Sequence, residues 1–351
     1  MASRISNPYS ESLHTQIRKK GFTIWEHQRG IWEWLSHLGE THIIHLHWIE
    51  YFFIVSKYKW LTPLKSFLFV LFLILIKYVL RKKIVVTLHN LVPHVRLYPP
   101  LEHRMFALTL KLADGVIVHN NYSKKMACYM YNTDENKIRV IPHGNFNSYY
   151  PNHISKEAAR DILKIPANKF VMISFGGIRR NKGLEELLNK LEDLLVYEEN
   201  LFIIVAGACN DDSLKKKLKE FSNKYDQSSL VKIEYIPDED IQILMNASDV
   251  GVLPYREITT SGALFLFMAF KKPVIVPTLE PIAELLQDSG LYYKHGDSED
   301  LAKVILEAKS SSYDLERFSQ VVFEISQKYQ WDDIADKTIE FYNNVLSKSS
   351  K

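Results

Sequence analysis

Short β-branched runs alternate with longer helical segments along nearly the whole chain, and the alternation runs through twice. The first series is "THIIHLHW", an apolar helix, "KIVVTLHN", "LEHRMFALTLKLA", "GVIVHN", "YSKKMACYMY" and "KIRVIPHG". A polar stretch, "NFNSYYPNHISKEAAR", interrupts it before the pattern restarts with "KFVMISFGG", "GLEELLNKLEDLL", "LFIIVAGA" and further pairs down to "KPVIVP" and "GLYYKH". Strands this short and apolar, each followed by a helix, are buried on both faces and pair in parallel. Such alternation predicts doubly wound sheets with polar residues of the strand C-termini facing a ligand crevice. A chain of 351 residues exceeds what one hydrophobic core usually serves, so two domains are expected, over 1–150 and 151–325. The end of the chain, 326–351, holds "WDDIADKTIEFYNNVL", an amphipathic helix expected to cross back to the first domain.

Charge is distributed unevenly along this frame. Residues 1–100 carry 13 Lys and Arg against 5 Asp and Glu, whereas the remainder is net acidic and the whole chain is only +3. A basic front half suggests an anionic partner. The segment "LKSFLFVLFLILIKYVLRKK" points to a membrane surface, since no recognised nucleic-acid motif accompanies the charge. Its apolar run Phe67–Ile76 suits a buried or interfacial helix better than a membrane span. Phe69, Phe72 and Leu73 are the expected lipid contacts, with Lys82 and Lys83 among the flanking cations; the alternative is a core helix with solvated ends. Cys128 and Cys209 lie far apart without metal-ligand spacing, as in a reducing compartment, and the start "MASRISNPYSESLHTQ" has no apolar core of a secretory signal.

Two constellations in the second half could hold an anion. In "FGGIRRNKGLEELL", Gly176 and Gly177 let the backbone turn and approach a ligand, while Arg179 can fork onto phosphate oxygens and Lys182 supplies a compact charge. Without further context the same stretch reads as a solvated loop. In "LPYREITTSGALFLFMAF", Thr260-Ser261-Gly262 opens an apolar helix whose first N–H groups favour an anion, unless Ser261 simply caps the helix. Two such sites on strand ends of one domain would clamp a diphosphate.

With these motifs the sequence resembles the GT-B nucleotide-sugar glycosyltransferases. "FGGIRRNKG", "YREITTSG" and "KPVIVP" look like the donor domain of the family 4 group and its exopolysaccharide relatives. "NPYSESL", "HLHWIEYF", "VVTLHNLVPH" and "VIPHG" match the acceptor-domain pattern, and the "HLHW…LHNL" arrangement resembles the inverting β-mannosyltransferase of xanthan assembly. The resemblance implies GT-B architecture, two doubly wound Rossmann-like domains facing a cleft. It implies that Gly177, Arg179, Lys182, Thr260, Ser261 and Gly262 bind the donor, and that His89 touches the donor sugar. One departure stands out: the two glutamates that many members carry eight positions apart correspond here to Ile258 and Leu266, with Glu257 one place early.

An inverting transfer needs a general base, and Glu50, beyond a strand end, is the carboxylate candidate; a retaining transfer would need only Arg179 and Lys182 on the leaving diphosphate. His47, His94 and Asn120 are expected to bind the acceptor, His45 to face the core and His143 to steady the loop between domains. Asp238-Glu239-Asp240 reads as an acidic helix start, so no metal site is expected. The implied activity is transfer of a hexose, mannose from GDP-mannose being the first choice and UDP-sugars remaining open, to a lipid-linked saccharide in surface polysaccharide or glycolipid assembly. The enzyme would be cytoplasmic, peripheral to an anionic inner membrane face, and would use the nucleotide sugar as co-substrate with no other cofactor. A nucleotide-sugar epimerase of the same fold and a catalytically silent glycolipid-binding subunit are the alternatives.

Overall fold

The structure, a computed structural model, describes residues 7–26, 37–55, 58–93 and 96–348. It divides into two compact units, residues 1–144 with 330–351, and residues 145–329.

The sheet of unit 1 contains β1 (Ile43–His47), β2 (Lys83–Thr87), β3 (Gly115–Val118) and β4 (Ile138–Val140), all parallel and ordered β1-β2-β3-β4. The register His47↔Thr87, Thr87↔Ile117 and Val118↔Val140 brings the carboxyl ends of the four strands to one edge. Every residue of β3 is buried, as expected of a parallel strand covered on both faces. Among the described residues the helices of this half are α1 (Pro8–Lys19), the short α2 (Glu50–Phe53), α3 (Thr62–Ile74), α4 (Pro99–Leu112) and, before β4, α5 (Asn121–Tyr131). Asn7 caps α1 by accepting from the Tyr9 N–H at 3.0 Å, and Pro8 occupies its first turn, where no N–H partner is needed.

Helix α3 continues into a π-helical turn, Leu75–Val79, that ends at Arg81 in the left-handed region (φ 53°). Thr62, Ser66, Phe69, Leu73 and Ile76 are its buried residues, and their three- and four-residue spacing marks one stripe. Phe69, Leu73 and Ile76 join Phe53, Val86 and Phe106 in the core of unit 1. This corrects the expected lipid contacts: Phe69 is 5% and Leu73 1% exposed. Phe72 is half-buried and packs against the same core. Lys82 reaches the Gly39 carbonyl at 3.3 Å and Lys83 lies 3.9 Å from Asp114, so both ammonium groups are engaged within the unit. The exposed side of the same helical stretch carries Trp60, Leu64, Phe67, Leu68, Leu71, Ile74, Leu75, Tyr78 and Val79.

The C-terminal helix, Trp331–Ser347, belongs to unit 1. Glycine lets it approach: a Cβ on Gly115 would meet Phe341 at 2.6 Å, and one on Gly144 would meet Trp331 at 2.4 Å. Lys20, just beyond α1, bridges Asp332 and Asp336 of this helix at 2.9 and 2.8 Å.

Unit 2 holds β5 (Phe170–Phe175), β6 (Leu201–Ala206), β7 (Ser229–Lys232), β8 (Val250–Val252), β9 (Val274–Pro277) and β10 (Leu291–Tyr293). They form one parallel sheet ordered β10-β9-β8-β5-β6-β7. The winding therefore reverses at the β5–β8 pair, where Met172 faces Val250 and Ile173 faces Gly251. A Cβ on Gly251 would strike the Phe267 ring at 2.7 Å, which explains glycine in a buried strand. Asp249, just before β8, accepts from the Val171 N–H at 2.7 Å and from Arg160 at 2.8 Å, tying the two central strands together at their amino ends.

Candidate active site

In a doubly wound sheet, ligands bind outside the carboxyl ends of strands at the point where the strand order reverses. In unit 2 that point lies beyond β5 and β8, and the two loops leaving these strands are the two anion-binding motifs of the sequence. Gly176 (φ +112°) and Gly183 (φ +67°) adopt backbone that other residues rarely take. A Cβ on Gly183 would sit 1.7 Å from the Pro254 carbonyl oxygen, so the loop after β5 lies directly on the loop after β8. A Cβ on Gly176 would meet Ala263 at 3.8 Å, at the start of the helix Gly262–Ala269. The Arg256 N–H donates to the Asn181 carbonyl at 3.1 Å, and Lys182 Nζ stands 4.1 Å from the centroid of the Tyr255 ring. The two loops face one place.

The cations there divide into two kinds. Arg180 pairs with Asp211 at 2.6 Å and Arg256 with Glu186 at 2.9 Å. Arg179 and Lys182 have no acidic partner among the described residues, and Arg179 is exposed. Ser261 does cap the helix, accepting from the Leu264 N–H at 3.1 Å, and also bonds the Tyr255 hydroxyl at 2.8 Å. Thr260 Oγ1 is buried without a hydrogen-bond partner among the described residues, so a donor group beside the helix start remains unused. Gly177 is exposed and Gly262 half-exposed, leaving room for a ligand against their backbones. Sequence reasoning missed Tyr255, which supports Lys182 through its ring and Ser261 through its hydroxyl; an aromatic residue between a buried strand end and the Thr-Thr-Ser run was the available signal. Leu266, where many relatives carry a glutamate, is 3% exposed and belongs to the buried helix, while Ile258 is half-buried and Glu257 exposed.

In unit 1, each strand of the sheet ends in a histidine: His47 on β1, His89 after β2, His119 after β3 and His143 after β4. Three form a chain. His47 Nδ1 lies 3.0 Å from His89 Nε2, and His89 Nδ1 lies 3.2 Å from His119 Nε2. His119 Nδ1 donates to the Ile141 carbonyl at 3.0 Å. Tyr9, from the first turn of α1, packs its ring against His47, His89, His119, His143 and Trp331. Trp48, held at φ +48°, stacks on His89 with ring centroids 4.1 Å apart and planes 7° from parallel. Burial holds these imidazoles neutral: His119 titrates at about 4, His45 and His143 at about 3, and His47 and His89 well below the ordinary value. His45, one pleat earlier on β1, bonds Tyr342 at 2.6 Å and Thr87 at 2.7 Å, so its role is internal.

Several sequence assignments change accordingly. His89 is 9% exposed and both ring nitrogens are taken by neighbouring histidines, so it has no nitrogen left for a sugar hydroxyl. Glu50 is 5% exposed at the start of α2, with Oε1 covered. Asn120 spends its side-chain oxygen capping α5, accepting from the Ser123 N–H at 2.8 Å. His94 lies outside the described residues. Asp238-Glu239-Asp240 form the first turn of the helix Asp238–Ala247, and among the described residues no three His, Cys, Asp or Glu side chains converge to hold a metal ion.

Two parallel-sheet units, one with a cationic cradle at its switch point, are the architecture of a GT-B glycosyltransferase. The family of glycosyl transferases group 1 matches residues 155–322, and glycosyltransferase family 4 matches residues 15–144. The chain belongs to the family 4-like glycosyltransferases of this fold. It is 27% identical over 119 residues to a GDP-mannose:glycolipid 4-beta-D-mannosyltransferase of Xanthomonas campestris, covering 34% of this chain and 33% of that protein. It is 23% identical over 259 residues to the GPI3 subunit of a phosphatidylinositol N-acetylglucosaminyltransferase of Saccharomyces cerevisiae, covering 71% of this chain and 54% of that one. The matches span at most 63% of the first curated relatives. In structure it resembles Anabaena HepE, solved with UDP and glucose, at a TM-score of 0.71 and 17% identity over 89% of this chain and 80% of that one, a likeness of fold.

Proposed function

We propose that the protein transfers a hexose, mannose from GDP-mannose being the first candidate, from a nucleoside diphosphate to a lipid-linked saccharide. The carrying observation is the pair Arg179 and Lys182, cations without acidic partners beside a helix start at the switch point of unit 2. Unpaired cations aimed at a backbone-lined cradle suit a diphosphate, and with the helix start they would balance the charge of the leaving nucleotide without a metal.

The acceptor class rests on unit 1. Residues 51–101 contain no Asp or Glu, and within this stretch the exposed side of α3 and its continuation carries Trp60, Phe67, Leu71, Tyr78 and Val79. By length and composition the helical stretch Lys59–Val79 could cross a membrane. Because one stripe of it is built into the unit's core, an orientation along the surface fits better, with the apolar face among lipid tails and Lys59 and Arg81 toward anionic headgroups. A cytoplasmic leaflet would supply both that charge and a lipid-linked acceptor. The curated relatives named above act, by their names, on a glycolipid and on phosphatidylinositol, which supports the acceptor class.

The test is a panel of nucleotide sugars incubated with purified protein and a short lipid-linked saccharide in anionic nanodiscs, with the product anomer assigned by NMR. Transfer from GDP-mannose is expected; absence of transfer or donor hydrolysis across the panel would overturn the enzyme reading and leave a glycolipid-binding protein.

A further inference from the structure

The histidine chain of unit 1 has a direction. A carbonyl oxygen only accepts, so Nδ1 of His119 carries the proton it gives to Ile141. In the neutral ring Nε2 of His119 is then bare, and the 3.2 Å contact requires the proton on Nδ1 of His89. The same step repeats: Nε2 of His89 is bare and accepts from Nδ1 of His47 at 3.0 Å. The chain ends at Nε2 of His47, a lone pair. That atom is covered and meets no partner among the described residues, although the His47 ring as a whole is only half-buried. An acceptor nitrogen left bare at the carboxyl edge of a parallel sheet awaits a hydroxyl.

We propose that His47 is a catalytic residue, its Nε2 taking the proton from the acceptor hydroxyl, and that His89 and His119 are positioning residues that fix its tautomer from the Ile141 carbonyl. This rests on the sugar-transfer reading above. In the step, the acceptor O–H bond breaks, its proton passes to Nε2, and the oxygen's electron pair forms the new bond at the anomeric carbon. The bond from that carbon to the diphosphate oxygen breaks, and the nucleoside diphosphate leaves with the pair. The charge gained by His47 is shared down the chain, since Nδ1 of His47 can pass its proton to His89 and His89 in turn to His119; the extra proton returns to solvent when the product leaves. Among the described residues the groups facing His47 are His45 and Trp48 on its own segment, His89 with His119 behind it, and Tyr9 and His14 from α1, His14 itself lying 3.0 Å from Glu26. None of these is a carboxylate that would favour the protonated ring, so the base form is the resting form.

Two measurements on the full chain test this. Long-range ¹H–¹⁵N NMR with labelled histidine reads each tautomer: Nδ1–H is expected in His47, His89 and His119, and Nε2–H in His47 would overturn the proposal whatever the activity. In transfer assays, His47→Gln should lower kcat by ~10²–10⁴-fold with the KM for nucleotide sugar unchanged. His119→Gln, which removes the ring from the anchor, should lower kcat less and mix the tautomers of His47. An active wild type with an equally active His47→Gln variant would overturn only the role of His47. A wild type that turns over no nucleotide sugar would overturn the transfer reading itself, and the proton-taking role with it.

Discussion

Gly183→Ala probes the contact on which the proposed donor cradle depends, and a second glycine supplies its control. Gly183 has φ +67° and Gly296 has φ +78°, so alanine at either position meets the same left-handed backbone, at a cost of about 1–2 kcal/mol. The surroundings differ. A Cβ at Gly296 meets nothing within 4 Å, whereas at Gly183 it lies 1.7 Å from the Pro254 oxygen and 2.9 Å from its carbon. That overlap is with backbone and cannot be relieved by a rotamer change, so the loop after β8 must shift by more than about 1 Å. Overpacking of this kind adds about 1–3 kcal/mol. Displacement of a binding loop by about 1 Å is enough to cost ~10²-fold in turnover. Gly183→Ala should therefore lower the unfolding midpoint of unit 2 further than Gly296→Ala does, and it alone should weaken nucleoside diphosphate binding. Differential scanning fluorimetry and isothermal titration with GDP and UDP read the two effects. Equal destabilisation by both substitutions, or undiminished nucleotide affinity in Gly183→Ala, would refute the reasoning that these two loops form one site.

Arg179→Ala and Lys182→Ala should each weaken donor use by at least about tenfold with the midpoint unchanged, since each removes a charge-assisted bond and no internal ion pair; near-normal kinetics would remove the diphosphate clamp. Replacing Trp60, Phe67 and Leu71 with Gln should release the protein from anionic vesicles in a sedimentation assay without unfolding it, because these residues are exposed; Phe69→Gln and Leu73→Gln should instead destabilise unit 1 by about 2–5 kcal/mol. Unit 1 should lose stability as pH falls. Its buried histidines titrate lower folded than unfolded, so the unfolded chain binds more protons below about pH 6.5. Each such group then contributes a loss of about 1.4 kcal/mol per pH unit until its folded value is reached, about 4 for His119 and about 3 for His45 and His143. A midpoint that stays flat from pH 7 to 4.5 would show that the cluster opens to water.

How much the sequence disclosed depended on how local the cause was. The strands were legible because a parallel strand must be apolar throughout, and "GVIVHN" and "LFIIVAGA" have no other reading. The cradle loops were legible because glycines at positive φ and clustered cations are written consecutively. Which cations stay unpaired was not, since Asp211 and Glu186, which neutralise Arg180 and Arg256, come from other segments. The apolar run of α3 named a helix but not its buried side, because nearly every position is apolar and the stripe of Phe69, Leu73 and Ile76 is chosen by the sheet beneath. The histidines were seen one at a time. Their connection depends on the register of four strands, and the direction of the chain on a single carbonyl from Ile141.

That register also bears on why the carboxyl edge of unit 1 carries imidazoles where a carboxylate was expected. An ionised carboxylate taken out of water needs hydrogen-bond donors or a cation, and burial without them drives it to its neutral form, which cannot act as a base. Several cations of the first half are committed elsewhere: Lys77 and Lys83 to Asp114, Lys124 to Glu135 and Lys20 to the C-terminal helix. Imidazole is a base in its neutral state, so burial that would disable a carboxylate keeps histidine in the working form. Tyr9 and Trp48 then act on the same side of the balance as the chain itself: by excluding water they keep each ring neutral, and with each ring neutral the Ile141 carbonyl sets the proton of all three. The cover over the edge and the direction of the chain are thus one device, and a variant that opens the cover, such as Tyr9→Ala, should raise the histidine pKa values toward 6.5 and scramble the tautomer of His47 together. Tyr9→Ala that changes the one in NMR titration without the other would separate burial from polarity and break this link.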